Sequence, residues 1–368
     1  MNRKRHFLLS FTLIVVAAVA VRADEIDDYV KSQMQKLHIP AVSVAVIKDG
    51  SLIKAEGYGL ANIEHGIPAR SDTVFKIGSV SKQFLATGIM LLVQDGSVAL
   101  GDEVSKYLTG TPGTWQTITL RHLLTHTSGL VREAPGFDPY KLQPDIDVIK
   151  TAYPLPLQFK PGEKWTYSNL GYFVLAEIIH KVSGKPWADF LTERVFAPLR
   201  MTATRVTSVA DIVPDRADGY AWKVDKFENT ENWPTVRPSG AFLSTALDLA
   251  KWEAALLTDH VLKGSTKTEM WTPVILNDGR KHRYGFGWQL DDFPAGSASS
   301  GVPMIRHGGS MPGFRAGYFR WPSHGLTVVV LTNLESAPVE GLGASIGIRY
   351  VPELKQASHP PRAAPDPK

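Results

Sequence analysis

Ser79-Val80-Ser81-Lys82 places a hydroxyl and an amine three residues apart. On a helix that spacing puts both side chains on one face. Phe84, Leu85, Ile89, Leu92 and Val93 follow at helical spacing, which predicts a helix over 79–94 with Ser79 at its start. The free N–H groups and positive dipole end of a helix start can stabilise an alkoxide or a carbonyl oxyanion. A lysine partly desolvated beside that dipole has its ammonium form disfavoured, which suits a proton acceptor. The plainer reading makes Ser79 a helix cap and Lys82 an ordinary exposed cation.

Two other clusters carry usable groups. In Tyr167-Ser168-Asn169 a phenol can relay a proton if a neighbouring cation lowers its pKa, and an amide can orient a substrate amide. The alternative is a turn, with the tyrosine on the core and the asparagine as a cap. His307-Gly308-Gly309 ends a predicted strand, and its glycines let a substrate backbone lie close to the strand edge. His307 is then placed to bind a carboxylate or to assist proton transfer. The alternative is a glycine-rich bend with a polar flank. Other chemistries find no support. The sequence has no G-x-S-x-G elbow, no H-E-x-x-H and no glycine-rich phosphate loop. His122 and His126 are four apart, but Leu123 stands where a catalytic glutamate would, and no acid cluster is near. Neither a metal nor a cofactor is expected.

The elements that must position these groups come from both ends of the chain. A helix is predicted over 24–37. Asp49-Gly50 between two strand-like runs, 41–47 and 51–58, signals a two-residue hairpin. The block from about 100 to 257 contains helical pieces at 170–182 and 248–257. It also holds an irregular, proline-rich stretch over 131–162. Strands are predicted again at 284–290, 304–307, 315–321 and 326–332, followed by a closing helix over 339–350. One sheet built from 41–60 and 284–333, with a helical region inserted over about 100–257, makes an α+β domain spanning 24–357. Its active site is expected at the seam between the two.

Composition bounds the rest. The chain has 368 residues, 43% hydrophobic and 21% charged, enough for a large core. It has no cysteine, which removes disulfides, thiol nucleophiles and thiolate metal sites. Arg3, Lys4 and Arg5, an apolar run over 7–21 and the small residues Ala18, Ala20 and Ala23 read as a signal peptide over 1–23. That implies export to the periplasm or the medium, and no stable membrane span after cleavage. Without the leader the net charge falls from +4 to zero, so a basic nucleic-acid surface is not expected. Four prolines mark 358–368 as a disordered tail. The expected partner is a small-molecule or peptide substrate, and the oligomeric state is left open.

Taken together, the segments resemble one family. Ser79-x-x-Lys82, Leu123-Leu124-Thr125-His126-Thr127-Ser128-Gly129-Leu130, Pro161-Gly162 with Tyr167-Ser168-Asn169, Tyr284-Gly285-Phe286-Gly287-Trp288 and His307-Gly308-Gly309 occur in the order seen in the serine β-lactamase-related hydrolases. These are the class C β-lactamases, the low-molecular-weight penicillin-binding proteins, and the esterases and D-amino-acid peptidases of that fold. The resemblance covers about 24–350. It implies an antiparallel sheet flanked by helices, with a helical region. It implies Ser79 as the acylated nucleophile and Lys82 and Tyr167 sharing proton transfer, either being the base. Asn169 would contact the substrate's amide-like group, with His307, Gly308 and Gly309 as further binding residues. The oxyanion hole would be the N–H groups of Ser79 and Ser310. His307 and Gly308 stand where class C enzymes have lysine and threonine, which argues against efficient β-lactam hydrolysis and looks more like the esterase and peptidase branches.

The leading expectation is an exported serine hydrolase acting through an acyl-enzyme on ester, amide or β-lactam carbonyls. The alternatives are a D-alanyl-D-alanine carboxypeptidase or penicillin-binding protein and, from another class, a non-catalytic sensor on the same fold.

Overall fold

Alternating side chains in the strand Ala41–Lys48 (β1) enter two different cores. Val42, Val44 and Val46 pack with Ile26, Val30, Val328 and Ile346, whereas Ala41, Ala45 and Ile47 face Val329, Leu331 and the buried residues of the helical region. A strand covered on both faces needs apolar residues at successive positions, which is why 41–47 reads as a continuous run. The computed structural model describes residues 25–207, 211–233, 237–293 and 301–354. The predicted leader and the predicted tail therefore lie outside the described residues.

β1 turns through Asp49 (φ 49°) and Gly50 (φ 78°) into Ser51–Asn62 (β2), with Lys48 opposite Ser51. Two successive positive φ values are what a tight hairpin with the correct twist requires. Ile67–Pro68 (β3), Gln289–Phe293 (β4), Val302–Met311 (β5), Phe314–Trp321 (β6) and Leu326–Thr332 (β7) complete a seven-stranded sheet. Its order is β4-β5-β6-β7-β1-β2-β3, with every pairing antiparallel. One face carries the helix over 25–37 (α1) and Val339–Tyr350 (α5, named in chain order with the three helices that follow here). The other face meets Lys82–Gln94 (α2), Asn169–Ser183 (α3) and Ala246–Leu256 (α4). The α+β class expected from the sequence holds.

Two local differences bear on the site. The predicted helix over 79–94 begins as a single 3-10 turn, Gly78–Ser81, and becomes α-helical only at Lys82. Ser79 makes no capping hydrogen bond, so its hydroxyl is not occupied by the helix backbone. The predicted strand over 284–290 forms only from Gln289. Gly287 has φ +75°, and a Cβ there would lie 2.7 Å from Lys82 O, so this segment bends to pack against the first turn of α2.

Candidate active site

The turn bearing Ser79 is clamped on three sides. Ile77 N donates to Phe242 O at 3.1 Å, and Ser81 Oγ accepts from Phe242 N at 3.2 Å. On the sheet side β4 pairs with β5 only as far as Arg306, so His307 to Met311 pair with β6 alone. That freed stretch of β5 lies against the Ser79 turn at closest backbone contact. A Cβ on Gly309 would sit 1.9 Å from Ile77 O, and one on Gly78 (φ +51°) would sit 2.6 Å from Ser310 N. Glycine at 309 therefore serves the approach of the nucleophile turn, a stricter requirement than room for a substrate backbone.

Lys82 is 0% exposed and lies at the centre. Its Nζ is 2.8 Å from Asn169 Oδ1, 2.8 Å from Ser239 O and 3.1 Å from Ser79 Oγ. Burial holds its ammonium well below the ordinary lysine range; Arg237 adds to this, Glu133 opposes it, and Arg132 adds a smaller share. A neutral amine has two hydrogens and one lone pair. The two acceptors take the hydrogens, and the lone pair remains for the Ser79 hydroxyl. Asn169 is fixed from both ends, because its Nδ2 donates to Glu133 Oε1. It opens α3, where the Ser168 hydroxyl caps the helix by accepting from Gly171 N at 3.1 Å.

Tyr167 completes the group around Ser79. Lys82 Nζ lies 4.7 Å from its ring centroid, and Arg132 packs over the ring at 5.1 Å. Burial raises the phenol pKa, although a hydrogen bond with Ser79 and the charges of Arg132 and Arg237 pull it down. Tyr167 therefore stays a phenol at neutral pH, a proton donor or relay.

His126, which the sequence offered as part of a motif and, with His122, as a metal-ligand spacing, holds this segment in place. It is 1% exposed, its Nδ1 accepts from Ser168 N at 3.1 Å, and its ring packs on Tyr167 at 4.3 Å between centroids. His122, four residues earlier, uses its Nδ1 to accept from Thr119 N at 3.2 Å in a capping box. The two histidines have separate structural tasks.

His307 departs from its expected role. The ring is 2% exposed, its Nδ1 is 2.7 Å from Gly308 O and its Nε2 is 3.0 Å from Tyr284 Oη. Nδ1–H donates to that carbonyl, so Nε2 accepts from the tyrosine. Burial, with Lys82 as the second cause, pushes its pKa down to about 3. A neutral ring with both nitrogens engaged has nothing to offer a carboxylate and no proton to exchange near neutrality. The structure places His307, expected at the substrate, with both ring nitrogens engaged by the protein, where it anchors Tyr284.

A cavity of about 570 Å³ opens over Ser79, and Asn169, Glu133, Ser310 and Arg315 also line it. Glu133, Arg237 and Ser239 were not singled out in the sequence. Glu133 lies in the proline-rich stretch, and Arg237 and Ser239 lie at and within a 3-10 helix of only three residues, so no periodicity marks them. The Ser79 hydroxyl lines this cavity, with the buried Lys82 amine and the Tyr167 ring packed behind it.

The whole-chain comparisons agree with that geometry. The beta-lactamase family model matches residues 26–350. The chain belongs to the beta-lactamase family. Penicillin-binding protein 4* of Bacillus subtilis (strain 168) is 32% identical over 315 residues, covering 80% of this chain and 68% of that protein. The octameric penicillin-binding protein homologue of Pyrococcus abyssi superposes with a TM-score of 0.76 at 26% identity, over 93% of this chain and 79% of the other. The D-amino acid amidase of Ochrobactrum anthropi SV3 gives 0.74 at 25% identity, over 89% and 97%. This beta-lactamase-family chain is a serine hydrolase of that fold.

Proposed function

We propose that the protein is an exported enzyme that cleaves ester, amide or β-lactam carbonyls through an acyl-enzyme on Ser79. One observation carries the reading: the fully buried Lys82 amine lies 3.1 Å from the Ser79 hydroxyl with its other two contacts taken by acceptors. Lys82 takes the Ser79 proton as Oγ attacks the carbonyl carbon. The N–H groups of Ser79 and Ser310 hold the oxyanion. Tyr167 and Lys82 return the proton to the leaving group, and water, giving its proton back along the same route, releases the acyl group. Asn169 keeps one N–H for the substrate's amide-like group. Gly308 and Gly309 form the strand edge beside it. Export rests on the leader-like residues 1–23.

A second reading is a D-alanyl-D-alanine carboxypeptidase or penicillin-binding protein, supported by the names of relatives such as penicillin-binding protein 4*. Intact-protein mass spectrometry after exposure to penicillin, a short-chain ester and a D-Ala-D-Ala peptide separates the readings. The main reading expects acyl adducts that turn over; the second expects a long-lived penicillin adduct. In Ser79→Ala every adduct and all p-nitrophenyl acetate turnover disappear. Retained turnover near the wild-type rate rejects both.

A further inference from the structure

The cavity over Ser79 is bordered by several cations, and all but one are paired with an acid. Arg237 and Arg132 approach the same Glu133 oxygen at 3.5 and 3.9 Å, and Lys223 lies 3.8 Å from Glu228. Arg315 has no ion pair among the described residues. Its Nη1 donates to Ser310 Oγ and to Phe314 O, while its Nε and Nη2 have no protein partner among them. Glu335 and Glu340 attract it from beyond contact distance, and burial works against its charge. The guanidinium is thus half-buried and held by neutral oxygens. A pair of adjacent donors, the fork that fits a carboxylate, stays unused.

Its position relates this unused fork to the reaction. Ser310 and Arg315 are directly opposed in the β5–β6 register, and both line the cavity. The backbone N of Ser310 lies against the Ser79 turn, 2.6 Å from where a Cβ on Gly78 would sit, and its hydroxyl oxygen accepts from Arg315. One serine residue therefore separates the oxyanion position from the guanidinium. Glu133 and Glu335 also line the cavity, which leaves Arg315 as its one lining cation with no acid in contact among the described residues. We propose that Arg315 is a specificity-determining residue that holds a carboxylate borne by the substrate close to its scissile carbonyl. This rests on the acyl-transfer reading of Ser79. It assigns anion recognition to the strand after His307-Gly308-Gly309, the place the histidine itself does not fill.

Two matched ester pairs test it: phenyl acetate against 3-carboxyphenyl acetate, and 4-nitrophenyl butyrate against mono-4-nitrophenyl glutarate. The first carries the carboxylate on the leaving group and the second on the acyl group. In the wild type, kcat/KM favours the anionic member of at least one pair by about 10-fold or more, the scale of one charge-assisted hydrogen bond. In Arg315→Gln that ratio collapses towards one, and in Arg315→Lys, which keeps the charge but loses the fork, it is only partly retained. Using a ratio cancels any general loss of folding or rate. No preference in either pair, or a preference that survives in Arg315→Gln, overturns the proposal. Absence of Ser79-dependent turnover of the neutral esters would instead overturn the acyl-transfer reading, and this proposal with it.

Discussion

At Lys82 the protein keeps an amine entirely out of water without a carboxylate in contact. That arrangement is costly for an ammonium and comfortable for a free amine. The pH dependence follows. The acceptor is lost when Lys82 protonates, and burial moves that event well below the ordinary lysine range. Tyr167 is shifted upward and stays a phenol. Ester turnover is therefore expected to be present well below the free lysine range and to fall as the pH drops through the depressed Lys82 value. A kcat/KM profile whose activity appears only near the free lysine value of about 10.4 contradicts this. Lys82→Ala should lose at least about 10²-fold in kcat/KM, and Lys82→Arg should fare no better, because a guanidinium does not give up its proton. At this scale the serine–lysine spacing was readable, since i and i+3 fix a shared face. Ser239 O and Glu133 were not, because a three-residue 3-10 turn and a proline-rich loop, both far away in sequence, supply them. The burial that makes His307 inert was equally hidden, since a histidine beside two glycines looks the same whether it faces a cavity or the core.

Among the elements, the decisive contact is between the 3-10 turn Gly78–Ser81 and the stretch of β5 that pairs with β6 alone. Gly309→Ala drives a methyl group into Ile77 O, with 1.9 Å between them before any relaxation. Displacing the nucleophile turn by about 1 Å is expected to cost on the order of 10²-fold in kcat/KM. Gly341→Ala is the control. It sits in α5 with nothing within 4 Å of the added carbon, so activity should be unchanged, and helix propensity adds about 0.5–1 kcal/mol of stability. Equal activity in the two variants would remove the role given to this contact. The long helices were legible from their apolar period, as α2 and α3 show, and so was the Asp49-Gly50 hairpin. The segment 284–288 was misread because Tyr284, Phe286 and Trp288 alternate with glycines as strand residues do. Their rings fill the core instead, Tyr284 against His307 and Tyr167 and Trp288 against Trp271 and Tyr318.

Across the whole molecule, a buried ion pair ties the helical layer to the sheet. Glu253 on α4 accepts from Arg320 Nε at 2.8 Å and from Tyr318 Oη at 2.7 Å, and the charged side chains are 3% and 4% exposed. Glu253→Ala leaves the arginine buried without its counterion and should cost about 3–5 kcal/mol in urea unfolding, with the activity of the folded fraction intact. A loss below about 1 kcal/mol would mean that the interface relaxes around the lone cation.

The central position of β7 beside β1 has a consequence for biogenesis. Val42 meets Thr332 and Lys48 meets Leu326, so the first strand-forming segment to leave the ribosome waits for nearly three hundred more residues before its other edge is filled. Contacts that distant form late and slowly. Until translation has passed the final strand, the growing polypeptide has a sheet split down its middle and no hydrolytic centre. Premature stop codons before that point would yield inert chains rather than a smaller working enzyme.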